Sequence, residues 1–454
     1  MKFCIRFVCL IVCCGLISFF AFSQSNIPQV SFKESIIKLK STEANFEDFS
    51  DLEKFGEMIG DAQVVQLGEF NHGDGKAFQA RIRLVKYLHQ KLGFNVLAFE
   101  SGLVEVENAR FDLKNGKPTY TSVSKRIYDA WANSAQAMPL FDYIKQSYGS
   151  QNSLDFIGFD PQFSSDLSAK LIKEFLMDDL SGASRSDIKL LLEMLEVLQG
   201  YGAKKIDDSK HLEYRKLLRQ MKSLIGSSSK GISDRSEKKK NQILMQVAEN
   251  IDAMELSIYY RSKGPKITLE NINTAVNAPE LIKASNVRDE QMADNIMWIL
   301  REYKKGRKII IWGANSHLAN FSQRKANSEQ QDNETLLRYI PMGEHLKKSL
   351  GKRLFTILSV SFKGEWALAG VSYQKGVYKP AEKDTLAYLL NQENLNTAIL
   401  DLDHFYRSNS GLSSPVTVRS NWTVNAVDDL RTVCDALLYF DEMTPSTLFT
   451  VKPQ

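Results

Sequence analysis

QVVQLGEFNHGDGKAFQARIRLVKYLHQKLGFNVLAFESG (Gln63–Gly102) reads as a buried strand, a polar turn, an amphipathic helix and a second buried strand. Gln63–Leu67 and Asn95–Phe99 are short apolar runs, the pattern of parallel strands covered on both faces. Between them Phe78, Ile82, Val85, Leu88 and Leu92 recur at helical spacing, with charge on the opposite side. Gly93 follows the last periodic residue, where a helix commonly stops in a left-handed conformation. A strand–helix–strand unit of this kind is a right-handed crossover, so both strands end on one edge of the sheet. Ligands of open α/β sheets bind outside that edge. Glu69 and His72 follow the first strand and Glu100 ends the second. Any one of these alone is more simply a cap or a solvated strand end, and Asp74 could cap the helix. Three ionisable groups converging on the binding edge point instead to a site.

Outward from this unit, Met1–Ser23 has the form of a secretory signal. Lys2 and Arg6 precede the apolar stretch Phe7–Phe22, and Ala21-Phe22-Ser23 supplies a small-x-small cleavage site. The stretch is shorter than the ~20 residues of a spanning helix, so export without a lasting membrane span is expected; an uncleaved anchor is the alternative. Cys4, Cys9, Cys13 and Cys14 leave with the signal, and Cys434 alone remains. An internal disulfide and a cysteine-based metal site are thereby excluded, and Cys434 reads as a small core residue. Losing Lys2 and Arg6 takes two from the formal charge of +4, leaving +2. So balanced a chain offers no concentrated basic face for nucleic acid. About 430 mature residues suffice for one large domain with an insertion, or for two domains.

Upstream of the central unit, Phe46–Ile59 has helical spacing. Downstream, Lys125–Ser147 reads helical and Leu154–Phe159 is a strand ending in Asp160-Pro161. Leu167–Arg261 is read as a helical insertion (about 167–261), broken near Ser181–Ser186 and again by the Ser/Gly- and Lys-rich stretch Gly226–Lys240, expected to be an exposed connection. A helix over Asn286–Tyr303 then leads to the strand Lys308–Trp312, which ends in Gly313-Ala314-Asn315-Ser316-His317. Leu354–Phe362, Thr397–Leu402 and Ala436–Phe440 are further strand candidates. The expected fold class is α/β: a three-layer α/β/α core around a mostly parallel sheet, with a helical insertion.

Of the six histidines, His72 and His317 directly follow buried strands, whereas His89 and His211 fall on polar faces and are expected at the surface. No G-x-S-x-G elbow supports a serine triad, and no phosphate-cradling glycine motif follows a strand. Histidine with carboxylates suits general-base catalysis with water as nucleophile. Arg81, early in its helix, can point back to the same rim. There it could bind developing negative charge or simply hold Glu69 or Glu100.

These residues, Gly68-Glu69-Phe70-Asn71-His72-Gly73, Arg81, Phe99-Glu100, Tyr259-Tyr260-Arg261, Asn286-x-Arg288-Asp289-x-x-Met292 and Ile311-Trp312-Gly313-Ala314-Asn315-Ser316-His317, resemble in order and spacing the erythromycin esterase family. The likeness runs from about Phe49 to Trp366 and more faintly beyond. It implies an α/β/α core with a helical insertion and hydrolysis of an ester, in the best-known members a macrolide lactone. It maps the family's water-activating histidine onto His72, surrounded by Glu69, Arg81, Glu100 and His317, with Asn71, Asn315, Trp131 and Arg288 as substrate-contacting candidates. Two positions differ from the family pattern: Asn71 stands where Ser or Thr is usual, and Ala314 where a further histidine is common. The expectation is therefore an exported hydrolase of a small-molecule ester, without a cofactor or bound metal. Two alternatives stay open: a metal-dependent hydrolase with Glu69, His72, Glu100 and His317 as ligands, and a non-catalytic envelope protein binding a small molecule or glycan in the same cleft.

Overall fold

The computed structural model describes residues 30–450 apart from 164, 166, 178–182, 200–203, 229–233, 269–270, 325–336, 370–373, 384, 411–415, 420–423 and 428. The expected signal segment, Met1–Ser23, lies outside the described residues. The strands are β1 (Ile36–Lys38), β2 (Val64–Glu69), β3 (Phe94–Gly102), β4 (Asp155–Asp160), β5 (Lys308–Ala314), β6 (Leu354–Leu368), β7 (Gln374–Tyr378), β8 (Thr397–Asp401), a small hairpin β9 (Val416–Arg419) and β10 (Val424–Val427), and β11 (Ala436–Met443). All but the hairpin belong to one sheet, in the order β1-β8-β11-β6-β2-β5-β3-β4, with β7 on β6. From β11 to β4 every neighbouring pair is parallel. The β1–β8, β8–β11 and β6–β7 pairs are antiparallel. The sheet is thus mostly parallel, as its apolar strands require.

Alternation along the strands divides the core between the two faces. Val65, Leu67, Leu97, Phe99, Ile310 and Trp312 pack with the Gly75–Leu92 helix on one side. Val64, Val96, Ala98, Ile309 and Ile311 pack on the other, with Pro279–Trp298 and the insertion. This is the three-layer arrangement, a sheet burying both faces under helices. Gly93 stops its helix at φ +71°, the left-handed geometry that favours glycine.

Among the described residues, the expected insertion holds four helices, Ser168–Met177, Arg185–Gln199, Asp208–Ser228 and Arg235–Lys263. Gly226–Lys240 is therefore not simply an open connection: helix occupies it on both sides of the undescribed residues 229–233. Glu237 and the three lysines that follow it are good helix formers on a solvated face. Two histidine expectations are also corrected. His89 is 2% exposed, because Tyr143 from the Met138–Ser147 helix covers it and meets its Nδ1 at 2.6 Å. His211 is mostly covered, its Nδ1 2.9 Å from the buried Glu255 carboxylate and its ring stacked on Tyr259. In each case a partner from another helix covers a face that periodicity reads as polar.

Candidate active site

The ends of β2, β5 and β3 lie side by side, Glu69 opposite Ala314 and Phe99 opposite Trp312. The turn after β2 is shaped by its own side chains. Asn71 Oδ1 accepts the Gly73 N–H at 3.0 Å and Asp74 Oδ2 accepts the Asn71 N–H at 3.0 Å. Gly73 must be glycine, since a Cβ there would meet the Ala367 backbone at 2.7 Å.

His72 projects from this turn with its Nδ1 on Glu69 Oε1. Glu69 is wholly buried, and its other partners fix it. Trp131 Nε1 donates to Oε1 at 3.0 Å, and the Arg81 guanidinium donates to Oε2. Arg81 also donates to the Leu67 carbonyl at 2.8 Å and lies 3.6 Å above the Trp312 ring. The carboxylate selects the tautomer with the proton on Nδ1, which leaves Nε2 unprotonated on the opposite side of the ring. About a quarter of the His72 side chain (26%) is exposed, edge-on to Tyr128 and Trp131. Burial alone would lower its pKa; the hydrogen bond and charge of Glu69, with the charge of Glu100, outweigh burial and the opposing Arg288, and raise it.

A second histidine–carboxylate pair shares the cavity. His317 Nδ1 is 2.8 Å from Asp289 Oδ1, which also accepts from the Tyr339 hydroxyl at 2.9 Å and the Met342 N–H at 2.9 Å. Its Nε2 faces Arg288 Nη1 at 3.2 Å and Glu100 Oε1 at 3.4 Å. A neutral ring accepts there from the guanidinium, whereas a protonated ring donates to the carboxylate. Burial pulls the His317 pKa down, but Asp289 and Glu100 overcome it and the opposing Arg288, so it is raised. Arg288 is itself held by Asp160, through Nε at 3.0 Å and Nη2 at 2.6 Å, and by Glu100 at 3.1 Å. Glu100 in turn accepts the Ala314 N–H at 2.8 Å.

His72, Glu100, Tyr128, Asp160, Gln162, Arg288 and His317 line this cavity of about 210 Å³. Glu69 stands behind His72, and Arg81 behind Glu69. Arg81 is fully buried, so its place is to hold Glu69 rather than to meet charge in the cavity. The other substrate-contacting candidates are spread more widely than the sequence suggests. Arg288 is on the wall. Trp131 is fully buried with its indole N–H on Glu69. The Asn71 amide oxygen closes its own turn, and the Asn315 amide pairs with the backbone of Ser359, donating at 2.7 Å and accepting at 3.1 Å. Sequence reasoning gave no site role to Asp160, which it read as a strand end, or to Asp289, which it quoted in the family motif, and it missed Tyr128, Gln162 and Tyr339. Asp160 was within reach, because it ends β4 as Glu69 and Glu100 end theirs. Asp289 and Tyr339 reach His317 only through tertiary packing.

Among the described residues no group of three or more His, Cys, Asp and Glu side chains is disposed to hold a metal ion. The four residues considered as ligands are split between two histidine-centred clusters. Nor is any helix among these residues long and apolar enough to cross a membrane.

An α/β/α sheet whose parallel strands deliver two carboxylate-held imidazoles to one cavity has the makings of a hydrolase. The comparisons agree: the chain belongs to the erythromycin esterase family, whose profile matches residues 89–443. That match covers Glu100, Asp160, Arg288 and His317 and begins after the His72 turn. The Bacillus subtilis (strain 168) protein called "Putative hydrolase YbfO" is 26% identical over 461 residues, spanning 97% of each chain. Erythromycin esterase type II of Escherichia coli is 22% identical, over 74% of this chain and 77% of that one. Among solved structures, a Bacillus cereus protein superposes with a TM-score of 0.70 at 18% identity, over 92% and 97% of the two chains. A succinoglycan biosynthesis protein gives 0.64 at 20% identity, over 92% and 96%. A mutant of the erythromycin esterase EreC in its open conformation also gives 0.64, at 16% identity, over 90% and 98%.

Proposed function

We propose that this protein is an exported hydrolase that cleaves a carboxylic ester or lactone with water activated by His72. The observation that carries the reading is the Glu69–His72 pair, with Glu69 fixed by Arg81 and Trp131 and the imidazole on the wall of a cavity that also holds His317, Arg288 and Glu100. In this scheme His72 Nε2 takes a proton as water oxygen bonds to the carbonyl carbon. Glu69 stabilises the imidazolium so formed. Arg288, with the His317 ring beside it, faces the carbonyl oxygen as negative charge develops on it. The C–O bond to the alcohol then breaks, and the proton on His72 passes to the departing oxygen. The products are an acid and an alcohol.

Small-molecule pockets commonly span ~300–1,000 Å³, so a cavity of about 210 Å³ would enclose the ester and its immediate substituents, the remainder of the substrate extending outward. Relatives named for erythromycin and for succinoglycan frame the substrate search: macrolide lactones in one arm, acylated glycans and simple aryl esters in the other. Ala314, in place of the family's further histidine, gives the second arm equal standing. Purified wild-type protein should hydrolyse at least one of these esters, and the His72→Ala protein should do so about 10²–10⁴-fold more slowly. If no ester turned over, hydrolysis would be abandoned in favour of binding. If exhaustive chelation abolished turnover and a divalent ion restored it, the metal-dependent alternative would replace this scheme.

A further inference from the structure

The His72 turn is gripped by a part of the chain remote from it in sequence, the segment that follows β11 on the same edge of the sheet. After β11 the backbone runs back across the turn. Ser446 N–H donates to the Gly73 carbonyl at 2.8 Å, and Lys76 N–H donates to the Thr444 carbonyl at 3.3 Å. The Gly73 carbonyl also accepts the Ala367 N–H from the end of β6 at 3.1 Å. Beyond Ser446 the same segment clasps the residues following the short helix Asp129–Ala132, which carries Trp131. Ala135 N–H donates to the Thr447 carbonyl at 2.8 Å and Phe449 N–H to the Asn133 carbonyl at 2.7 Å. Between the two grips, the Ser446 and Ser134 hydroxyls meet at 2.7 Å, both residues wholly buried. One short segment thus ties the turn bearing His72 to the segment bearing Tyr128 and Trp131, the latter the indole donor to Glu69.

We infer that Thr444–Phe449 is a positioning strap, which sets the Glu69–His72–Trp131 geometry by locking the two loops that supply it to one another. The inference rests on the reading of His72 as the base. None of the strap residues touches the cavity, so the strap acts only through the groups it places. Two adjoining loops could otherwise slide by a fraction of an ångström, and displacements near 1 Å at a reacting centre cost about 10²-fold in rate.

Gly75→Ala is the sharpest test. A Cβ at Gly75 would stand 2.5 Å from the Pro445 carbonyl oxygen, pushing the strap off the turn, while alanine is intrinsically the better residue in a helix. Ser446→Pro removes the N–H that reaches Gly73. In folded Gly75→Ala the titration midpoint of the His72 imidazole, read by NMR of histidine-labelled protein, should move down towards the ordinary histidine value by about half a unit or more, as the Glu69 bond loosens. With the best ester, kcat should fall about 10- to 100-fold with KM little changed. His89→Ala, which disturbs the core away from the turn, should lower the melting temperature without moving that midpoint. A folded Gly75→Ala protein with wild-type imidazole titration and wild-type kcat would reduce the strap to ordinary packing. If Ser446→Pro fails to fold, Gly75→Ala decides alone. A shifted midpoint in a protein whose wild type hydrolyses no ester would overturn the proposed reaction and leave the strap standing.

Discussion

His72 and Glu69 act as a unit, so substitutions at the two should differ in kind. His72→Ala removes the proton acceptor and should cut ester turnover by about 10²–10⁴-fold. It should also lower stability, because the imidazole is mostly buried and hydrogen-bonded to the wholly buried Glu69, so turnover is compared in protein shown to be folded. Glu69→Gln should cost less in turnover, since an amide oxygen can still accept from Nδ1 but cannot stabilise an imidazolium. It should also move the pH profile in a definite direction. As the proposed base, His72 would work unprotonated, and Glu69 raises its pKa against burial. The acid limb of the wild-type profile should therefore lie above the ordinary histidine value and move to lower pH in Glu69→Gln; a shift to higher pH would contradict the pairing. His404, partly exposed near Asp401, is the neutral control. His89 cannot serve as one: truncating a buried, hydrogen-bonded imidazole should cost about 1–3 kcal/mol, visible as a lower denaturation midpoint.

At the scale of elements, the sequence carried the strand–helix–strand unit, its glycine stop, and three strand ends bearing Glu69, Glu100 and the approach to His317. Apolar runs and helical spacing are local signals. What they could not carry is neighbour order: β5, more than two hundred residues downstream, inserts between β2 and β3. That insertion brings His317 beside Glu100. β1 escaped because three residues are too few to show a period, and β7 because its exposed, Gly-containing sequence has no apolar run. Arg288 shows the same limit at the site. It was legible as a motif residue, but its two carboxylate partners end strands from elsewhere in the chain. Removing that cation leaves Glu100 and Asp160 buried and less compensated. Arg288→Ala should destabilise the fold by about 3–5 kcal/mol, the range for breaking a buried ion pair. Because Arg288 holds both histidine pKa values down, the acid limb of any residual turnover should move to higher pH. Urea denaturation and a pH–rate profile measure the two effects, and an unchanged midpoint would show that the network contributes no net stability.

For the whole molecule, three buried groups in and beside the cavity lean one way. His72 and His317 have raised pKa values. Asp74, buried where the His72 turn enters its helix, is pushed up to about 8: burial dominates and the Glu69 charge adds to it, against the hydrogen bonds from Tyr378 and the Asn71 N–H. A group whose pKa is raised on folding contributes stability that is fully present below its unfolded pKa and lost as pH climbs through its folded value. For Asp74 that window runs from near 4 to about 8. For the two histidines it opens near 6.5 and closes at their raised folded values. Asp289 opposes them only in acid, since its lowered pKa costs stability as pH falls through the folded value. The melting temperature should therefore be highest on the mildly acidic side and fall as pH is raised from about 6 to 9. Asp74→Asn isolates the largest contributor. An amide cannot ionise, and its oxygen can still accept the Tyr378 hydroxyl, which reaches Asp74 Oδ1 at 2.8 Å. Its NH2 group, however, would face the Asn71 N–H where Oδ2 now accepts. This variant should start less stable at pH 6 and lose less than wild type between pH 6 and 9. Melting curves of the two proteins across that interval make the comparison. Parallel slopes would mean that Asp74 is already ionised in the folded protein and that its two hydrogen bonds, not burial, govern it.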